Sequence, residues 1–264
     1  MLMRLARHRI LQPFWRRLHR ISLIGMNYWA SEFDATGERD ALKLVAKFLH
    51  PVNSPVIFDV GANVGDFSLA CLEALGSSCS IYSFEPSRST YDLLSGHVTD
   101  TSIKLHRLGF SNIEGHAVLH SSEPGSSIAS LEPLDNPVRM FKPELDERVS
   151  ITTIDRFCET HGIGTIDFLK LDIEGHEMKA LQGARQTISN GRLRIVQFEF
   201  GENSISARSY LADIVKLLDG FDFYRIVPGG LVPWVYKDGA DEIFATMNYL
   251  AVRTDATATT LSLL

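Results

Sequence analysis

The sequence predicts a three-layer α/β sandwich, and three observations carry that expectation. Short, mostly apolar segments at Val56–Val60 and Cys79–Phe84 each run into a loop and then into a stretch of helical periodicity. Segments so apolar behave as central parallel strands, buried on both faces. The loop after the first is Gly61-Ala62-Asn63-Val64-Gly65, and the second ends in Glu85-Pro86. This alternation is the βαβ rhythm, which covers a parallel sheet with helices on both sides.

The elements follow in order. Glu38–Leu49 places Ala41, Leu42, Leu44, Val45, Phe48 and Leu49 at helical spacing and reads as the helix before the first strand, with Pro51 and Pro55 bracketing the turn. Further helices are expected at 66–75, 89–98, 153–160, 177–188 and 206–218, and strands at 103–106, 115–120, 166–171 and 194–199. Residues 121–148, rich in Ser, Pro and Glu, read as a long loop, either over an active site or on the surface. Phe221–Val227 and Ile243–Arg253, separated by a Pro-Gly-Gly turn and a polar loop, read as a hairpin-like pair closing the sheet. The expected domain, residues 36–253, is Rossmann-like, with a mostly parallel seven-stranded sheet ending in an antiparallel strand. The Thr/Ala-rich residues 254–264 read as a frayed tail.

Residues 1–35 form a basic amphipathic extension, expected to be helical. Arg4, Arg7, Arg9, Arg16, Arg17 and Arg20 precede the first acid, Glu32, and alternate with Leu2, Leu5, Ile10, Leu11, Phe14, Trp15, Leu18, Ile21 and Leu23; Pro13 is expected to break or kink the segment. The expectation is a helix packed on the domain or covering its pocket, with its arginines toward solvent. Peripheral membrane contact through residues 1–30 is the alternative, and a homodimer through the same segment is another. The overall charge of −6 leaves the rest of the chain acidic, which argues against a nucleic-acid partner. Cys71, Cys79 and Cys158 form no CxxC pair or metal-ligand cluster, which fits a reduced, cytoplasmic protein. No apolar run approaches the roughly 18 residues of a membrane span, and the basic start lacks the pattern of a signal peptide.

The first glycine loop is the expected cofactor site, formed by Asp59, Gly61, Ala62, Asn63 and Gly65. Glycines let the backbone turn tightly beside a ligand, and Glu85 stands where a Rossmann unit places the carboxylate for its ribose hydroxyls. A dinucleotide asks for GxGxxG. Here the spacing is GxxxG after an acid, which suits the cationic methionine end of S-adenosylmethionine better than a diphosphate.

Asp172 follows the apolar strand at 166–171 and so falls at the carboxyl edge of the sheet, where ligands bind. Methyl transfer to a hydroxyl needs alignment, exclusion of water and a proton acceptor. Asp172, His176 and Glu199 are the catalytic candidates. Glu174 reads as a second site acid or a helix cap, His176 as a base or a capping residue, and Glu177 as a helix N-terminal acid. Asp172 and Glu199, if their strands are neighbours, either share a divalent ion such as Mg²⁺ or supply one base; the metal-free arrangement is expected. Lys170 is placed to pair with an acid, Asn203 and Tyr210 lie near an acceptor, and Trp234 is either a sugar-stacking rim or core.

Beyond these readings, the chain resembles the FkbM family of S-adenosylmethionine-dependent methyltransferases. The segments that carry the likeness are FDVGANVGDFS at 58–68, SFEPS at 83–87, TTIDRFCETHGIGTIDFLKLDIEGHEMKALQGA at 152–184 and NYLAVR at 248–253. The resemblance implies transfer to a hydroxyl of a sugar, glycan or secondary metabolite. It implies Asp59, Gly61, Asn63 and Gly65 around the methionine part of the donor, Glu85 on its ribose, and Asp172 as the active-site acid. It also points to Ser111, after the third strand, for the adenine pocket. Competing readings are methylation of nitrogen or of a carboxylate, a nucleic-acid methyltransferase, an NAD oxidoreductase and a non-catalytic binding protein. The acidic body and the lack of an NPPY-type motif oppose the nucleic-acid reading, and intact Asp59, Glu85 and Asp172 oppose loss of catalysis.

Overall fold

The computed structural model describes residues 6–30, 33–123, 125–126, 129–132 and 144–254. Residues 255–264 of the expected tail, and much of the 121–148 loop, lie outside the described residues. In chain order the strands are β1 (Val56–Val60), β2 (Ser80–Phe84), β3 (Ile103–His106), β4 (Gly109–Phe110), β5 (Gly115–Ser121), β6 (Leu145–Thr152), β7 (Ile166–Leu171), β8 (Leu193–Phe200), β9 (Phe221–Val227), β10 (Gly230–Trp234) and β11 (Met247–Arg253). The helices are α1 (Gln12–Gly25), α2 (Phe33–Thr36), α3 (Glu38–Leu49), α4 (Asp66–Leu75), α5 (Arg88–His97), α6 (Ile154–His161), α7 (Glu177–Gln182), α8 (Arg185–Ser189), α9 (Asn203–Ser206) and α10 (Leu211–Leu217).

One sheet runs in the order β10-β9-β11-β8-β7-β1-β2-β3. From β8 to β3 every pairing is parallel, while β11 is antiparallel to both β8 and β9. Alternate side chains of each strand enter opposite cores. Ile57 and Ile81 join Ala41, Leu42 and Val45 of α3 and Cys71 of α4 on one face. Phe58, Val60 and Phe84 meet Phe157 of α6, Leu181 of α7 and Ile214 of α10 on the other. β7 is buried at all six positions, as a central parallel strand should be.

The expected three-layer α/β architecture is present, with two refinements. The main sheet has eight strands where the sequence suggested seven. The turn at Pro228-Gly229 closes a hairpin between β9 and β10, and β11 inserts between β9 and β8. β10 escapes a periodicity argument because it carries Pro233, which only an edge strand tolerates. A second, three-stranded sheet in the order β4-β6-β5 contains the expected 115–120 strand together with β6, which the polar alternation of LDERVSIT conceals. The expected helix at 177–188 is two short ones meeting at Gly183, where a Cβ would lie 2.1 Å from the Ser111 carbonyl oxygen.

At Pro13 the N-terminal segment changes from the 3-10 turn Arg9–Leu11 to the α-helix α1. The proline occupies the first turn of α1, where its missing N–H costs nothing. The arginines face solvent as expected, but the apolar stripe does too: of α1 only Leu23 is buried.

Candidate active site

At the carboxyl edge, between the ends of β1, β2 and β7, lies a cleft of about 560 Å³, the open solvent at its mouth included, lined by Val60, Gly61, Asn63, Glu85, Pro86, Leu108, Gly109, Phe110, Leu119, Asp172, Ile173 and Glu174, among others. This is the place where a doubly wound sheet leaves room for a ligand.

Parallel pairing sets the geometry. β1 and β7 are in a register that pairs Asp59 with Lys170 and Val60 with Leu171, so the chains leaving them meet. Gly61, at φ 83°, turns there so closely that a Cβ would lie 1.9 Å from the Asp172 carbonyl oxygen. Gly65, at φ 95°, packs instead on α5, where a Cβ would stand 2.4 Å from Val98 Cγ2. Asn63 takes φ 47° and faces the cleft.

Glu85 is buried, and its carboxylate accepts the N–H groups of Ser87 at 2.9 Å and of Asn63 at 3.3 Å. Burial pushes its pKa up to about 7, against the pull of those two N–H groups. Each carboxylate oxygen has a second lone pair, so a vicinal diol can still donate to Glu85.

Beneath the cleft, the sheet register lines up Ser83, Asp59, Lys170 and Gln197 in one buried row. Ser68 of α4 donates to Asp59 Oδ2 at 2.6 Å, and Gln197 Nε2 donates to Glu38 Oε1 at 2.6 Å. Lys170 Nζ reaches Asp172 Oδ2 at 2.8 Å. Burial by itself would depress Lys170, but the carboxylates of Asp172, Asp59 and Glu38 outweigh it and hold the ammonium charged. Glu199 belongs to the same edge, since β7 and β8 pair Leu171 with Phe198. Burial, then the charges of Asp172, Glu174 and Glu177, push its carboxyl well above the usual range.

The candidates thus fall into two groups. Gly61, Asn63, Glu85, Asp172 and Glu174 line the cleft. Asp59, Ala62 and Gly65 lie beneath or behind the loop, outside that lining, and Glu199 on β8 is outside it too. His176 is also outside it: it is 4% exposed, with Nδ1 2.6 Å from Glu132 Oε1 and Nε2 3.0 Å from Ser111 Oγ. The pair ties Ser111 to the segment around Ser130 and Glu132, and Lys179 Nζ adds a bond to Glu132 at 3.1 Å. Ser111 therefore serves a buried polar cluster, and Phe110 beside it faces the cleft. Asn203 donates to Glu174, while Trp234 packs on Phe223, Tyr236 and Tyr249 at the far edge of the sheet. Sequence reasoning missed Glu38 and Gln197. A glutamate opening a helix looks like a dipole partner, and only the fold turns it onto Lys170.

The lining is part apolar, at Pro86, Leu108, Phe110 and Leu119, and part acidic, at Glu85, Asp172 and Glu174. Among the described residues no group of three or more His, Cys, Asp or Glu side chains is arranged to hold a metal ion.

Sheet order, glycine loop and carboxyl-edge acids together define a methyltransferase that uses S-adenosylmethionine. The chain belongs to the FkbM methyltransferase family, whose domain profile, described as "Methyltransferase FkbM domain", matches residues 59–224. It is 27% identical over 188 residues to the hexuronic acid methyltransferase AglP of Haloferax volcanii, covering 70% of this chain and 69% of that protein. It is 24% identical over 189 residues to the 2-O-methyltransferase NoeI of Sinorhizobium fredii, covering 67% and 76%. Among solved structures, it is similar to the FkbM methyltransferase of Methylobacillus flagellatus KT, with a TM-score of 0.48 and 17% identity, over 75% of this chain and 44% of that one.

Proposed function

We propose that this protein is an O-methyltransferase that methylates a hydroxyl of a sugar, presented by a glycan or a glycosylated metabolite. The observation that carries this reading is Asp172, a carboxylate on the cleft wall held by Lys170 and backed by Glu199. An alcohol must lose a proton as it is methylated, and a carboxylate at the reacting edge can receive it. The names of the relatives, one acting on a hexuronic acid and one a 2-O-methyltransferase, support the same acceptor class. Three buried free cysteines accord with a cytoplasmic setting.

In this reading Glu85 accepts the ribose hydroxyls of the donor, and Pro86, Leu108 and Phe110 enclose its adenine. Gly61 and Asn63 contour the methionine end, whose positive charge Asp172 and Glu174 offset. The donor supplies a sulfonium-bound methyl group that an acceptor oxygen displaces in line. Asp172, paired with Lys170, orients the acceptor hydroxyl and takes its proton. Glu199 stands on the same edge, and burial, then the charge of Asp172, pushes its carboxyl above the usual range. His176 acts at one remove, by holding the Ser130–Glu132 segment beside the cleft.

The deciding experiment offers labelled S-adenosylmethionine with uronic-acid and neutral oligosaccharides, and with matched amine and carboxylic-acid acceptors. Label on a sugar hydroxyl is the expected result. Label confined to amines or carboxylates would overturn the hydroxyl assignment.

Glu85→Gln separates donor binding from stability. Because burial raises the folded pKa of Glu85 from 4.5 to about 7, the native state keeps a proton that the unfolded chain loses over that window. Glu85 therefore costs stability progressively as pH rises from 4.5 to about 7, and the full cost applies above it. Glu85→Gln removes an ionisation penalty of about 1–3 kcal/mol. The variant should gain on the parent in urea unfolding as pH rises through that window, while donor affinity measured by calorimetry falls. A stability difference that does not change with pH would refute the buried-acid account.

A further inference from the structure

We infer that α1 docks the protein on an anionic lipid bilayer. Its apolar side chains Phe14, Leu18 and Ile21 recur at helical spacing and face outward, and Ile10 precedes them in the 3-10 turn Arg9–Leu11: Ile10 is 73% exposed, Phe14 55% and Ile21 65%. Trp15 and Ile24 widen the stripe, with Phe14 and Trp15 in edge-to-face contact at 5.0 Å. A helix that merely covers a domain turns such a stripe inward, as α3 does. α1 does the reverse, burying Leu23 alone.

The remaining surface of the segment is basic. Arg7, Arg9, Arg16, Arg17 and Arg20 are all exposed, and the sequence contains no acid before Glu32. An apolar face with aromatic residues and an arginine-rich polar face is the make-up of a helix that lies in the headgroup region, and basic side chains add attraction to anionic lipid. Its 14 residues reach roughly 21 Å, short of the roughly 30 Å hydrocarbon core, so α1 lies on the surface. Charge also favours lipid over a second copy of this chain. Two such stripes pressed together would bring both sets of arginines into one interface, with no acid of the segment to offset them.

The attachment of α1 gives this docking a direction. Asn27 Nδ2 donates to the carbonyl oxygens of Thr36 at 2.8 Å and Ile226 at 3.1 Å, and the Trp29 N–H donates to Thr246 at 2.8 Å. Ile226 is near the end of β9, and Thr246 precedes β11, which runs antiparallel to β8. Both anchors therefore stand at the edge of the sheet where β1, β7 and β8 end and the cleft opens.

The test is flotation of the full chain with vesicles of phosphatidylcholine alone or of phosphatidylcholine and phosphatidylglycerol in equal parts. Capture by the anionic vesicles should exceed capture by the neutral ones about tenfold or more. Phe14→Ser combined with Ile21→Ser should reduce anionic capture by a similar factor. The unfolding temperature should not change, because both side chains are already exposed. Arg16→Glu combined with Arg17→Glu should erase the difference between the vesicles. Failure to float, or equal capture by both vesicle types, would overturn the proposal. So would a dimer in light scattering that Phe14→Ser with Ile21→Ser dissociates. Flotation involves no methyl transfer, so a wrong acceptor assignment leaves it standing.

Discussion

Asp172→Asn is expected to lower kcat by about 10²–10⁴-fold, the range of a lost proton acceptor. The amide keeps the shape of the side chain, and its oxygen still accepts from Lys170 Nζ, so the cleft is preserved while the ability to take a proton is lost. The pH profile adds a second readout. Glu199 is pushed up by burial first and by the Asp172 charge next. Removing that charge lets Glu199 ionise at lower pH, and residual activity carried by Glu199 should move to lower pH with it. Initial rates across pH, with calorimetric donor binding alongside, check both statements. An unchanged kcat would remove Asp172 from the chemistry. Donor affinity lost in proportion to rate would restrict Asp172 to holding the donor.

Lys170→Met is expected to cost about 3–5 kcal/mol of stability, the penalty for removing one member of a buried charge network. Lys170 is 6% exposed and faces Asp172, Asp59 and Glu38, so methionine fills the space but leaves three carboxylates without their cation. The sign of the pH dependence follows from the direction of the Lys170 shift. A lysine raised above its ordinary 10.5 contributes stability that is full below that value and is lost only as pH rises through the higher folded value. The deficit of the variant should thus be level through neutral pH. It should shrink on acidification, when Glu38 and Asp59, already raised by burial, take up protons. Urea unfolding at several pH values measures this. A deficit unchanged in acid would mean that the loss is one of packing, not of charge.

The strand ends were the most legible part of the site. Gly61, Glu85 and Asp172 each follow an apolar run that stops at a polar residue, and a parallel sheet collects such ends on one edge. Asp59 was equally visible, but the chain alone does not tell which face of β1 a side chain takes. Alternation sends Asp59 with Ile57 toward α3 and α4, under the loop instead of into the cleft. His176 shows the same difficulty. Its ordinary pKa near neutrality suggested a base, whereas its placement depends on Glu132 and Ser111, which come from 44 and 65 residues away.

What the sequence determined by itself was the order and type of the central elements and the edge on which the chemistry falls. Both are written in local hydrophobic period and in glycine and acid positions. Only the tertiary structure decided the partners across the sheet. The insertion of β11 between β9 and β8, the Asp59–Lys170–Gln197 row with Glu38 bonded to Gln197, and the outward turn of α1 all depend on contacts between residues far apart in the chain. A pattern read along one segment specifies which side chains must be buried, but not which distant surface buries them, nor that in α1 the apolar stripe would be left facing out.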